Sequence, residues 1–166
     1  MSLPSLEQVD QLGTLATTTV SAQYQDLNGH VSVRGHYNLH MDAAEQAFGQ
    51  VLGVDETYLE RTGQSSFSVA HHVLFHSEIH VGDEMSLHLR FLDRGDKTIH
   101  AVTVLTNRTT GRVASTLEFI EAYVDLTARR ATSIAPELAE RIDQHVARHQ
   151  ALTWTLPASE RLGVRR

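Results

Sequence analysis

The sequence predicts an α+β domain: a curved antiparallel five-stranded sheet wrapped round one central helix, with a second helix towards the C-terminus. Three observations predict it. Over residues 37–52, Tyr37, Met41, Ala44, Phe48 and Val51 recur at steps of three and four, while Leu39, Ala43, Ala47 and Leu52 occupy the opposite side. A helix that is apolar or small nearly all round expects burial. From residue 66 to 125 the period changes to two, and short turns join successive strands, which forces them antiparallel. The apolar face of that meander needs a cover, and segment 37–52 is the one apolar enough to supply it.

Each element has its own local signals. Ser5 suits the N-cap of a short helix running to Gln11 and stopped by Gly13. Residues 14–24 are β-branched and alternate as a first strand. A polar turn-rich loop follows, in which Asn28, Gly29 and Gly35 suit tight or left-handed backbone. The central helix ends near Gly53, and Asp55 caps a shorter helix over 56–61. In 66–81 the odd positions Phe67, Val69, Val73, Phe75, Ile79 and Val81 are apolar, so that face is expected to be buried. The even face carries Ser68, His72, His76, Glu78 and His80. Gly82-Asp83 turns into a strand over 84–92, and Arg94-Gly95-Asp96-Lys97 makes a hairpin to 98–107. Arg108 to Gly111 turns into 112–125. Pro136 opens a last helix to about His149, with Leu138, Ile142 and Val146 on one side. Residues 1–150 read as a single domain and 151–166 as a tail without a clear period, anchored by Trp154.

Composition bounds the function. The 166 residues carry a net charge of −6, and Lys97 is the only lysine among 14 basic side chains, which argues against a general nucleic-acid binder. With no cysteine there is no disulfide, thiolate nucleophile or Cys-ligated zinc. No apolar run reaches membrane-spanning length and no leader pattern opens the chain, so a cytoplasmic protein is expected. The 11 histidines do not assemble into a metal site on spacing. His36 and His40 stand four apart on one helix but lack the glutamate of the usual zinc motif. His72, His76 and His80 share a strand face, yet at ~3.3 Å per residue the neighbours lie ~13 Å apart.

The segment Tyr24-Gln25-Asp26-Leu27-Asn28-Gly29-His30-Val31, followed by Tyr37 at the helix, resembles the hotdog-fold acyl-CoA thioesterases of the 4-hydroxybenzoyl-CoA thioesterase type. With Phe67-Ser68-Val69-Ala70-His71-His72 it looks most like the betainyl-CoA thioesterase branch. The likeness covers roughly residues 14–145. Gly29 to Tyr37 is one residue longer than the family spacing, which displaces the loop or the helix start. Ala70 stands where that branch tends to carry Glu, so a carboxylate that would face a quaternary ammonium is missing there.

The resemblance implies an acyl-CoA thioesterase acting on a small or polar acyl group, with no cofactor beyond the coenzyme A of its substrate. It makes Asp26 the acid that attacks the thioester or activates water, with Asn28 and His30 orienting the loop or the acyl group. N–H groups near Gly35, His36 and Tyr37 would polarise the carbonyl. From its residues alone, Asp26 before Asn-Gly suits an Asx turn equally well. Asp42 and Glu45 are rival acids on the helix, satisfied otherwise by Arg34 or a histidine. His72 lies on the face expected at the partner or the substrate cleft. Arg94 and Lys97 on one hairpin, and Arg108 and Arg112 on another, could rim the coenzyme A phosphates. Free sheet edges predict a homodimer or a dimer of dimers. An enoyl-thioester hydratase or a non-catalytic acyl-CoA-binding domain are the other readings.

Overall fold

The structure is a computed structural model that describes residues 3–159 and 162–164. Its elements are α1 (Leu6–Asp10), β1 (Ala16–Thr19), α2 (Val33–Leu52), α3 (Glu56–Thr62), β2 (Gln64–Phe75), β3 (Glu84–Arg94), β4 (Thr98–Asn107), β5 (Arg112–Asp125), β6 (Arg130–Ala131) and α4 (Pro136–Gln150). The sheet runs β1-β3-β4-β5-β2, antiparallel throughout, and the two-residue β6 adds to β5 as a sixth strand. β1 and β2 are therefore its two edges. Among the described residues no helix is long and apolar enough to cross a membrane.

α2 lies across the concave face. Its buried residues include Leu39, Ala43, Ala47 and Leu52, together with His36 and His40. Ala43 and Ala47 leave little side chain between helix and sheet, so the helix sits close. Of the stripe Tyr37, Met41, Ala44, Phe48 and Val51, Ala44 is buried, while the other four are only partly so and pack at the margin of the core. Strand parity puts Leu89 and Phe91 of β3, Ala101 of β4, and Leu117, Phe119 and Tyr123 of β5 under the helices. α4 shares that cover through Leu138 and Ile142, so α2 does not enclose the face alone. The convex face is closed by the two ends of the chain. Val9 and Leu12 from the N-terminal end, and Trp154 and Leu156 from the tail, pack on Val102, Val104 and Val113.

Three boundaries differ from expectation. The first strand shrinks to four residues, because Ser21 opens a 3-10 turn over Ala22–Tyr24. α2 begins at Val33, so Tyr37 sits a turn inside it rather than opening it. Ser32 caps the helix, its Oγ accepting from the Gly35 N–H at 3.0 Å. The strand expected over 66–81 stops at Phe75, where the His76 and Ser77 N–H groups both turn to the Ala114 carbonyl at 2.8 and 3.1 Å. A bulge between Ser68 and Ala70 also switches its parity. Ser66, Ser68, His71, Val73 and Phe75 face the helix side by register, while Phe67 and Val69 are 44% and 59% exposed. The odd positions therefore do not form one buried face.

Candidate active site

Asp26 to Gly29 form a tight turn, closed by the Gly29 N–H donating to the Asp26 carbonyl at 3.2 Å and by a bridge between Gln25 and Val31. Gly29 takes φ 85°, which a residue with a Cβ adopts only with strain. The Asp26 carboxylate folds back on this turn. Its Oδ1 accepts from the Asn28 N–H at 2.8 Å, and its Oδ2 lies 3.9 Å from His30 Nε2. Asp26 and His30 are each about a third exposed, and Leu27 at the tip is wholly exposed. Asp26 is thus an Asx-turn residue whose carboxylate, paired with His30, still reaches solvent.

The loop locks onto α2 through Gly35. A Cβ there would lie 2.6 Å from Val31 Cγ1 and 3.0 Å from Tyr24 Cβ, so glycine serves close packing inside the helix and not a left-handed turn. Ser32 takes both the Gly35 N–H, through its side chain, and the His36 N–H, through its carbonyl at 3.0 Å. Those donors are spent, and the Tyr37 N–H falls within the helix ladder. The Val33 and Arg34 N–H groups, which have no intrahelical acceptor, are the ones available to polarise a carbonyl. Beside them Gln23, Tyr24, Ser32, Arg34, Gly35 and Asn38 line a shallow cavity of about 230 Å³.

Below the loop α2 carries a buried polar chain. His36 Nδ1 is 2.9 Å from Ser115 Oγ, the same hydroxyl is 2.8 Å from His40 Nε2, and His40 Nδ1 is 2.8 Å from Thr103 Oγ1. Burial holds the His36 pKa down at about 4, and the neighbouring His30 pushes it the same way. Burial lowers His40 to about 3, with His36 and His76 adding to the effect. Asp26, His30 and His36 therefore form one neighbourhood, continued inward to His40. Tyr37 turns to edge strand β2, its hydroxyl 2.8 Å from His71 Nδ1.

Further along the same edge, a cleft of about 920 Å³ opens between α2, α3 and β2. Met41, Asp42, Ala44, Glu45 and Phe48 line one wall, and Ser65 to Ser68 with Glu121 the other. Asp42 and Glu45 are exposed and make no ion pair with Arg34 or a histidine among the described residues, contrary to expectation. Glu121 is 7% exposed; burial pushes its pKa up against the opposing hydrogen bonds from Ser68 and Ser66. The sequence reading missed Glu121, Ser115 and Thr103. A charge inside the apolar run of 112–125 was the available signal for Glu121, whereas nothing local marks a serine or threonine that meets a histidine 60 to 80 residues away.

The remaining candidates lie elsewhere. His72 is on the convex side, 3.7 Å from Glu118, which His100 Nε2 also meets at 2.7 Å. Arg94 is held by Asp143 in a two-point contact at 2.7 and 2.5 Å, and Arg108 by Asp10 and by Ser86 Oγ at 2.6 Å. Lys97 and Arg112 are exposed on the same two turns and enter none of the ion pairs among the described residues. No three His, Asp or Glu side chains among the described residues are placed to hold a metal ion.

The sheet wrapped round α2 and the polar loop at its head define a class, the hotdog-fold thioesterases. Residues 20–142 match the thioesterase-like superfamily, and the chain belongs to that family. Its similarity to known proteins runs in the same direction. It is 28% identical over 152 residues to the L-carnitine dehydrogenase/betainyl-CoA thioesterase of Rhizobium meliloti (strain 1021), covering 92% of this chain but only 30% of that protein. It is 24% identical over 144 residues to the betainyl-CoA thioesterase of Pseudomonas aeruginosa, covering 87% and 90% of the two chains. Among solved structures, a hypothetical protein of Staphylococcus aureus in complex with CoA superposes with a TM-score of 0.77 at 22% identity, over 84% of this chain and 87% of that one.

Proposed function

We propose that the chain hydrolyses an acyl-CoA with a small or polar acyl group to the free acid and coenzyme A. The observation that carries this reading is the placing of Asp26, His30 and the free N–H groups of α2 at one end of the helix, in a chain of this family. Asp26 is the base or nucleophile, the Asn28 N–H fixes its carboxylate, and the Val33 and Arg34 N–H groups receive the oxyanion. The acyl group runs along edge strand β2 into the cleft. That cleft is lined by Asp42, Glu45 and Glu121, so a polar or cationic acyl group suits it better than a long hydrocarbon. Lys97 and Arg112 remain the candidates for the phosphates. Arg94 and Arg108 are less suited, each being neutralised inside the chain.

The same cleft supports a second placing of the acid. Asp42 or Glu45, lining it directly, would serve if the carbonyl lies deeper than the loop. Thiol release from a panel of acyl-CoAs differing in length and charge tests the activity; stabilisation by ligand without thiol release would mark a binding domain instead. Asp26→Asn, Asp42→Asn and Glu45→Gln, compared as folded proteins, separate the two placings. Asp26→Asn should lower kcat by roughly 10²–10⁴, while the helix variants stay near wild type; the reverse result moves the acid onto α2.

The assembly we infer is a homodimer joined across β2. That strand has β5 on one side only, and Phe67, Val69 and Phe75 stand exposed on it. The convex face is already covered by α1 and the tail, which disfavours a dimer of dimers stacked through it.

A further inference from the structure

The buried chain of histidines and hydroxyls beneath the loop can run in one of two directions, and the carbonyl at its inner end favours one of them. Thr103 Oγ1 lies 2.8 Å from His40 Nδ1 and 3.4 Å from the Leu117 carbonyl, an oxygen that can only accept, and a hydroxyl that donates to that carbonyl engages both neighbours. In that direction it accepts from His40 Nδ1–H. His40 is neutral, because burial holds its pKa at about 3, so its Nε2 carries no hydrogen and accepts from the Ser115 hydroxyl. Ser115 has one hydrogen and has now used it. It accepts from His36 Nδ1–H, and neutral His36 is left with a bare lone pair on Nε2.

That lone pair is not spent inside the protein. Among the described residues, His72 Nδ1 is the one buried side-chain nitrogen or oxygen that lacks a hydrogen-bond partner. His36 Nε2 makes no hydrogen bond among them either, so it must be open to solvent. The imidazole is steadied there by the edge-on ring of Phe75, 5.2 Å away between centroids on edge strand β2.

We propose that Ser115 and His40 are positioning residues that hold His36 as the Nδ1–H tautomer, presenting Nε2 as a hydrogen-bond acceptor to the water that hydrolyses the thioester. The proposal rests on the thioesterase reading above. An acceptor suits an O–H donor such as water. It cannot serve the thioester carbonyl, which needs a donor, so the opposite tautomer would make His36 part of the oxyanion pocket. With so low a pKa His36 orients the water and stores no proton; the water's proton leaves through the carboxylate that acts as base.

The test reads the tautomer directly. In protein labelled with ¹⁵N-histidine, long-range ¹H–¹⁵N correlations at neutral pH distinguish a protonated Nδ1 from a protonated Nε2, and His36→Gln assigns the signal. Wild type should show His36 protonated on Nδ1 alone. Ser115→Ala should mix the tautomers and lower kcat roughly tenfold or more with KM within about twofold. Ser115→Thr, which keeps the hydroxyl, should restore both. A proton on Nε2 in the wild type overturns the proposal, as does a Ser115→Ala enzyme with mixed tautomers and normal kcat. If Ser115→Ala fails to fold, His40→Gln replaces it, with the same two readouts. Absence of thiol release from every acyl-CoA would defeat the thioesterase reading, and with it the catalytic half of the proposal. The tautomer assignment would be judged separately by the spectrum.

Discussion

His36 and His40 show how a single residue acquires a property its sequence does not display. Both are polar side chains on a helix that packs into the core, and each is kept neutral by the loss of water around it. The consequence for pH can be signed. The unfolded chain binds these protons near pH 6.5 while the folded chain resists them until about 4 and 3. Their contribution is complete above pH 6.5 and is lost as pH falls through that window. At about 1.4 kcal/mol per pKa unit, several kcal/mol are at stake. A thermal melt series should show Tm falling from pH 6.5 to 4, and His40→Gln should flatten that slope. Glu121 has the opposite sign, because burial raises its pKa and disfavours the charge at neutral pH. Glu121→Gln should melt no lower than wild type at pH 7, and higher if the desolvation cost dominates. If the cleft receives a cationic acyl group, the same variant should raise KM for that substrate at least tenfold. An unchanged KM would remove Glu121 from the acyl site.

At the scale of elements, β2 is the informative strand. One bulge converts a simple alternation into two half-strands of opposite parity, placing Ser66, Ser68 and His71 on the helix side and Phe67 and Val69 outward. An apolar edge left in this state is an aggregation hazard unless another strand pairs with it. Val69→Lys should therefore shift the protein from about 37 kDa to about 18.5 kDa by light scattering, the latter being one chain. A Val69→Lys protein that stays dimeric would place the interface elsewhere. α2 depends on its entry. Gly35→Ala pushes a methyl into Val31 and Tyr24, and should cost activity through the loop it displaces as well as stability. Ser32→Ala removes a cap worth about 1 kcal/mol, readable as a shift in Tm.

The whole molecule is closed by its own ends. Arg90 donates to the Trp154 and His149 carbonyls at 2.9 and 3.0 Å and stacks on the Trp154 ring, which pins the segment after α4 to the sheet. Leu156 completes the cover over Val102 and Val104. Ending the chain after Gln150 should bare that apolar face. A lower Tm and binding of an apolar dye would follow; an unchanged melt would show the tail to be dispensable.

The sequence by itself determined the order of elements, the antiparallel meander, the central helix and the polar Asp26–His30 turn, because these follow from local periodicity, turn chemistry and spacing. It also placed His36 and Tyr37 on that helix, but nearer its start than the structure has them. The tertiary structure decided where α2 begins, since Ser32 becomes its cap only when Val31 and Tyr24 pack against Gly35. It decided which way β2 faces, because a bulge is invisible to a period of two. It decided that Arg94 and Arg108 are bound to Asp143 and Asp10, partners 49 and 98 residues away. Above all it decided the company His36 keeps, because Ser115, His40 and Thr103, from three separate elements, meet in one buried chain only when the sheet closes on the helix.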